Sequence, residues 1–333
     1  MAHNPISERI VWRFSGAHPV VAPGQLHGDL DARRAGAAHI VQVGDLYRMY
    51  YWGTGTDGYH HILLAESRID TPNEWRPLGS VLDRQPGTDY NDEGPGFPHV
   101  VPMEDGPWLL YFCGWGKPRE DGRLPNTTGV AVSDDGGYRF RYPKRVPILP
   151  LDRDWDREGT GSVYVLRVND RYHMYYTSIG AYFDRPKGAV TGHGDVIPRI
   201  GIAYAASPDG IAWRKPVNGL MVSPRGFNTE PYEYICSKPF VLKEPGGYRM
   251  WVNTFGTAYR MRSLVGPDGM DWRWCDSGPD GEFGVGRPGA FDDRQRCYAS
   301  VVKCGEEYRC WYTGNGFGAT GMGYATGRIG GEA

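Results

Sequence analysis

The sequence predicts an all-β chain folded as one five-bladed β-propeller with four antiparallel strands per blade, and three observations predict it. First, one phrase recurs five times: a short apolar run, a tight polar turn, then an aromatic-rich strand. It reads His39-Ile40-Val41-Gln42-Val43-Gly44-Asp45-Leu46-Tyr47-Arg48-Met49-Tyr50-Tyr51 at its first occurrence. It returns as His99-Val100-Val101 before Trp108-Leu109-Leu110-Tyr111-Phe112, and as Val163-Tyr164-Val165 before Tyr172-His173-Met174-Tyr175-Tyr176. The last two copies are Pro239-Phe240-Val241 before Tyr248-Arg249-Met250-Trp251, and Ser300-Val301-Val302 before Tyr308-Arg309-Cys310-Trp311-Tyr312. Second, the aromatic anchors of successive copies lie 61, 64, 76 and 60 residues apart, which leaves room for a four-stranded blade with its loops. Third, the fifth copy ends after its third strand, Gly321 to Thr326. Its missing strand is matched at the other terminus, where Arg9-Ile10-Val11-Trp12-Arg13 follows the pattern of Gly210-Ile211-Ala212-Trp213-Arg214. A ring closed by that strand has no open edge between its first and last blades. An open array of β-sandwiches needs neither the matched spacing nor the split blade.

Each strand has its own reason. In the third copy Ser162 to Val168 alternates and reads as the innermost strand, and Asn169-Asp170 is a two-residue hairpin turn. Tyr172 to Thr177 and Arg199 to Ala206 follow as second and third strands. Ser207-Pro208-Asp209-Gly210 then turns the chain, with Pro and Gly where a type I turn prefers them, into a fourth strand at Ile211. The same outer turn recurs as Ser133-Asp134-Asp135-Gly136 and Gly266-Pro267-Asp268-Gly269, with Thr71-Pro72-Asn73-Glu74 in the first copy.

Bulk properties narrow the function. The chain has 333 residues, and because the repeat fills it, residues 1–333 read as one domain. The 40 % apolar content supports a core, while 48 Gly and 26 Pro suit frequent turns. A net charge of −2 gives no reason to expect nucleic acid or an anionic membrane as partner. Met1 to Val20 carries Glu8, Arg9 and Arg13 where a secretory leader needs an apolar run, so a cytoplasmic location is expected. Cys113, Cys236, Cys275, Cys297, Cys304 and Cys310 form no CxxC and read as reduced core residues.

The loops joining one blade's outer strand to the next blade's inner strand carry acids in every copy: Asp29 and Asp31; Asp89, Asp92 and Glu93; Asp156 and Glu158; Glu230 and Glu233; Asp292 and Asp293. Five such loops converge on one axis, so these carboxylates are expected around a shared opening, where mutual repulsion would separate their pKa values into an acid and a base. Singly, each is as readily explained as a turn residue. Trp52 and Trp115 offer faces on which a sugar ring stacks, and Asn253, Asn315 and Asp292 offer partners for its hydroxyls. The long segment from Ser178 to Pro198, with Tyr182, Arg185 and His193, reads as a lid or substrate wall. Arg294 and Arg296 are the one visible basic pair for an anion. The histidines lack any HxH or HExxH spacing, so no metal or cofactor is expected beyond the option of a structural calcium ion held by carboxylates and water. No phosphate-cradling loop precedes a helix, and no nucleophile elbow is present.

The segments 43–51, Gly201-Ile202-Ala203-Tyr204-Ala205-Ala206-Ser207-Pro208-Asp209-Gly210-Ile211-Ala212-Trp213 and Tyr312-Thr313-Gly314-Asn315-Gly316-Phe317-Gly318 resemble the five-bladed propeller glycoside hydrolases. That superfamily includes arabinanases, β-xylosidases, invertases, levansucrases and related phosphorylases. The resemblance spans the chain through blade-building motifs, so it bears on fold more than on activity. It implies three working carboxylates: a base or nucleophile in the first blade, a helper, and an acid in a later blade. Here the aligned positions fall at Ala37 and near Pro98, Ser162, Ser237 and Tyr298, with the nearest acids a few residues earlier. The expectation is therefore a glycosidic bond cleaved with Glu233 or Glu158 as general acid and Asp31 or Asp92 as base or nucleophile. Its alternatives are a saccharide-binding propeller without catalysis, or a sugar transferase or phosphorylase on the same fold.

Overall fold

The protein is described by a computed structural model covering residues 9–226, 229–275 and 278–330. Glu8, used above in reading the N-terminal segment, lies outside them. The chain is all-β apart from short helical turns. It opens with β1 (Ile10–Phe14) and then builds β2 (Arg34–Val43), β3 (Leu46–Thr54), β4 (His60–Arg68) and β5 (Arg76–Leu82), paired in that order. Next come β6 (Gly94–Val101), β7 (Trp108–Trp115) and β8 (Asn126–Ser133), with a Val132–Arg141 bridge as the trace of a fourth strand. The third group is β9 (Gly159–Val168), β10 (Arg171–Asp184) and β11 (Val196–Ser207), with a bridge from Ala206 to Arg214. The fourth is β12 (Ile235–Glu244), β13 (Gly247–Phe255), β14 (Tyr259–Gly266) and the short β15 (Arg273–Cys275). A single parallel bridge, Ile200 to Ile235, joins it to the third. The last is β16 (Cys297–Cys304), β17 (Glu307–Thr313) and β18 (Met322–Ile329).

The N-terminal strand completes that last sheet. Ile10 pairs with Ile329 and Phe14 with Ala325, in antiparallel register. The Trp12 ring packs against Trp251, Phe283 and Tyr308. Its indole N–H donates to Glu282 at 2.7 Å.

Two devices recur between neighbouring sheets. A tyrosine of the second strand reaches the next sheet's outer turn: Tyr50 donates to the Gly137 carbonyl, Tyr111 to Gly210 and Tyr175 to Gly269, at 2.7–2.9 Å. Trp311 does the same toward Asn73 of the first sheet at 3.1 Å. Each first strand also carries a register shift, at Ala37-Ala38, Phe97-Pro98, Gly161-Ser162, Lys238-Pro239 and Tyr298-Ala299. An extra residue there bends the strand and re-aims a side chain. Ala37, Phe97, Lys238 and Tyr298 adopt φ of 50–56° at these bulges. Their N–H groups are held from the preceding sheet: Ala37 by Thr313, Lys238 by Thr177 and Tyr298 by Asn253, at 2.8–2.9 Å. The first strands touch in series, β2 with β6, β6 with β9, β9 with β12, β12 with β16, and β16 with β2.

The segment from Ser178 to Pro198 differs from the expected lid. Most of it extends the hairpin, with Asp184 paired to Val196, so only the tip between them is loop. All six cysteines are free. No described helix is long and apolar enough to cross a membrane.

Candidate functional site

The bulges decide what the first strands present to one another. Ala37, Phe97 and Tyr298 join Trp52, Trp115, Cys113 and Cys297 in one cluster, against which Tyr259 and Phe317 pack while staying partly exposed. Ring contacts run through it without a break. Trp52 lies 5.1 Å from Trp115, Trp115 5.5 Å from Phe97, and Phe97 5.0 Å from Tyr298. Phe317 stacks 6.2 Å from Tyr298 and meets Tyr259 at 5.2 Å. Phe255 then touches Tyr259 at 4.8 Å, and His193 touches Phe255 at 5.3 Å. Rings from all four described sheets thus meet in one aromatic cluster, in which Trp52, Trp115 and Tyr298 are themselves buried. It unites three residues expected at a saccharide site: Trp52, Trp115 and His193.

Polar groups fix these rings. The Trp52 N–H donates to His60 at 3.1 Å, and the Trp115 N–H to Asn126 at 2.8 Å. Burial, aided by the nearby Arg34 charge, pulls the His60 pKa down to about 4, so this imidazole is neutral and can accept. His193 pairs with the Tyr234 hydroxyl. The guanidinium of Arg34 sits 5.8 Å from the Trp52 ring centre. His39, His99, Tyr164 and Phe240 form a second chain of tilted ring contacts, with both imidazoles pushed toward neutrality by burial.

Four inter-blade acids expected around a common opening, Asp31, Asp92, Asp156 and Asp292, are instead held separately by partners of their own. Asp31 is fully buried and accepts from Tyr51 at 2.6 Å; Asp156 accepts from Tyr176 at 2.8 Å and from Lys215 at 2.6 Å. Asp292 Oδ2 accepts from Tyr312 at 2.8 Å and from Arg296 at 2.6 Å, which also removes Arg296 as an anion site, while its buried Oδ1, like Glu233 Oε2, has no hydrogen bond among the described residues. Asp92 is buried and caps the Gly87 N–H at 2.5 Å. Asn253 and Asn315 are likewise consumed by the backbone: Asn253 accepts from Tyr298 N–H, and Asn315 from the N–H groups of Arg294 and Gln295. The physical reason is shared. A loop buried against its sheet leaves main-chain and tyrosine donors that these side chains satisfy.

Two candidate acids keep chemistry available. Glu158 is partly exposed and meets Arg119 at 3.4 Å, in a rim group where Arg123 stacks 3.7 Å over Tyr182. Glu233 is buried, and its Oε1 accepts from Arg262 at 2.7 and 3.0 Å and from Thr254 at 3.0 Å. Its Oε2 has no hydrogen bond among the described residues and lies 3.6 Å from Arg225. Glu233 lines a cavity of about 400 Å³ together with Glu230, Asp280, Arg225 and Arg260. Arg185 is spent on Asp195 and the Ala189 carbonyl, and Arg294 is exposed beside Asp293. No group of three or more His, Cys, Asp or Glu side chains gathers for a metal among the described residues.

Sequence reasoning missed Arg34, Phe97, Tyr259, Phe317 and above all Lys238. Its aligned register fell beside the bulge residue in the second, third and fourth copies. A lysine inside the apolar run Cys236-Ser237-Lys238-Pro239-Phe240 was the signal that could have found it.

No family model matches the chain. It is 29 % identical over 329 residues to the Mycobacterium tuberculosis protein Rv1502, covering 95 % of this chain and 99 % of that one. Among solved structures it is similar to a glycoside hydrolase with a TM-score of 0.72 and 17 % identity, over 98 % of this chain and 94 % of the other. It is also similar to a structure of the GH130 family of mannoside phosphorylases, a family containing glycoside hydrolases that target β-1,2 mannosidic linkages in Candida mannan. That likeness has a TM-score of 0.65 at 14 % identity, over 94 % and 93 % of the two chains. The chain therefore has the all-β, propeller-type fold found among glycoside hydrolases.

Proposed function

We propose that this chain is a glycoside-hydrolase-like carbohydrate-active enzyme, one five-bladed wheel over residues 1–333 closed by β1. A saccharide lies at the partly exposed end of the aromatic cluster, formed by Phe255 and Tyr259. Gly256 and Arg260, their neighbours in sequence, line the cavity of Glu233. The observation that carries this reading is the Glu233 carboxylate, with one oxygen clamped by Arg262 and Thr254 and the other without a hydrogen bond, beside Glu230 and Asp280 in one cavity.

Glycoside hydrolysis needs one carboxyl to protonate the leaving oxygen and a second to act as base or nucleophile. Ion pairing with Arg262 makes Glu233 an acceptor, so it takes the base or nucleophile role rather than the acid role first expected. Glu230 or Asp280 is then the proton donor. Glu158 is the remaining candidate for that donor role, at the rim. Asp31 and Asp92 drop out of the proposal because their oxygens serve the fold.

The test is release of reducing ends from a panel of oligosaccharides and aryl glycosides. Glu233→Gln is expected to lower turnover by about 10²–10⁴-fold while melting within a few degrees of the parent. Unchanged turnover in Glu233→Gln removes that residue from the mechanism. A second reading, saccharide binding without cleavage, is favoured by one observation: Ala37, Phe97, Gly161, Lys238 and Tyr298 fill the bulges, and none is a carboxylate. Binding without product on long incubation selects it, and turnover that requires phosphate selects a phosphorylase.

A further inference from the structure

Arg225 stands where cavities meet. It lines the cavity of Glu233 and a second one of about 570 Å³. Backbone pairing fixes it there: the N–H of Gly226, the next residue, donates to the Glu233 carbonyl at 2.7 Å, and Val222 is bridged to Ile202 of β11. The Arg225 guanidinium lies 3.6 Å from Glu233 and 5.8 Å from the centre of the Trp274 ring, and its side chain is 21 % exposed. It makes no hydrogen bond among the described residues, so its N–H donors are uncommitted.

The two cavities differ in charge. That of Glu233 sets Glu230, Glu233 and Asp280 against Arg225, Arg260 and Arg262. The second is lined by Arg199 and Arg225, and by no carboxylate among the described residues. Arg199 is exposed and pairs with Ala181 just past the register shift of β10. Its side chain has neither a hydrogen bond nor an ion pair among the described residues. Tyr232 and Tyr234 line the same cavity as neutral hydroxyls: burial pushes Tyr232 up against the pull of Arg199, and raises Tyr234 to about 12. Arg199, Ala181 and Ser223 also line a further cavity of about 470 Å³, where Arg157 and Asp154 bring opposite charges. Open space thus runs in series from Glu233 past Arg225 to Arg199.

We propose that the cavity lined by Arg199 and Arg225 holds the sugar unit next to the one at Glu233, and that this unit carries an oxyanion, a carboxylate or a phosphate ester. The proposal rests on the saccharide reading above for the ring, and on two arginines lining one cavity for the charge. A guanidinium meets either oxyanion through paired N–H donors, so the two together select an acidic sugar over its neutral counterpart. Phe183, partly exposed, and Pro224 supply apolar wall for the C–H face of the ring.

Titration calorimetry on the full chain tests it with monosaccharides, which have no glycosidic bond to lose. The pairs are glucuronate with glucose, galacturonate with galactose and mannuronate with mannose, alongside the three hexose 6-phosphates and inorganic phosphate. In at least one configuration the parent is expected to bind the uronate or the 6-phosphate about tenfold or more tightly than the neutral sugar. Arg199→Gln, at an exposed position where folding is not at stake, is expected to lower that affinity about fivefold or more and to leave the neutral sugar unchanged. Arg225→Gln is expected to act in the same direction. Preference for the uronate identifies a carboxylate, and preference for the 6-phosphate a phosphate ester. Neutral sugars that bind as tightly as their acidic counterparts overturn the proposal and leave the saccharide reading standing, as do acidic sugars whose affinity neither substitution lowers. Absence of binding by every acidic sugar also overturns it. Inorganic phosphate held through both arginines with no sugar bound removes the saccharide reading as well.

Discussion

The Tyr176 hydroxyl donates to Asp156 Oδ2 at 2.8 Å, twenty residues back along the chain. Tyr51 with Asp31 and Tyr312 with Asp292 repeat the bond at the same separation. Each acid ties the entry loop of a sheet to that sheet's second strand. In these three copies the recurrence that made the acids conspicuous in the sequence thus has a local structural cause: a buried loop needs an acceptor for its tyrosine.

Removing one such tie should cost stability more than activity. Asp156→Ala takes one of two carboxylates from Lys215, whose side chain is itself buried; Asp152 at 3.0 Å and the Pro150 carbonyl remain. The expected loss is about 1–3 kcal/mol, because the Tyr176 hydroxyl and Lys215 both lose a buried charged acceptor while Lys215 keeps Asp152. Lys215→Met in the same background should recover part of it, as urea unfolding of the four variants of a double-mutant cycle will measure.

The tyrosine-to-turn bonds predict a smaller and separable effect. Tyr175→Phe removes the donor to the Gly269 carbonyl and should cost about 1 kcal/mol. Gly269→Ala should cost more, since its φ is +78° and a Cβ there would lie 2.7 Å from the Tyr175 hydroxyl oxygen. Equal unfolding midpoints for the two variants would contradict this ordering.

Lys238 gives stability a pH dependence of known sign. Burial pulls its folded-state pKa down from 10.5 to about 8, although the Cys297 thiol opposes the shift. Between those values the unfolded chain binds more protons, so stability rises with pH from about 8 upward. Cys297, raised by burial, works the other way only above its unfolded value near 9. His39 and His99 titrate well below this range. From pH 8 to 9 the parent should therefore gain about 1 kcal/mol relative to Lys238→Met. Parallel denaturation curves for the two proteins across that interval would refute the assignment.

The terminal strand carries its own test. Trp12 fills the space between Trp251, Phe283 and Tyr308, and Trp12→Ala should cost about 3 kcal/mol by leaving a cavity at the β1–β18 edge. Thermal melting that is unaffected by this change would show that β1 is dispensable to the last sheet.

How much of this was legible follows from range. Alternation, turn chemistry and repeat spacing act between residues close in sequence. They placed the hairpin at Asn169-Asp170, whose φ values of 50° and 57° suit its tight turn, and they matched Arg9–Arg13 to an unfilled strand. Carboxylate function was not legible in the same way. Whether Asp31 meets a ligand or Tyr51 depends on which face of a loop is buried, and spacing carries no record of that. Lys238 was hidden for a related reason: a one-residue bulge changes which side chain points inward, and only the packed neighbour sheet, through Thr177, holds it there. The sequence by itself determined the strands, their order and the aromatic character of what they enclose, because those depend on local periodicity. Only tertiary packing decided which charges stay paired within a sheet, because pairing is settled by distances between segments far apart in the chain.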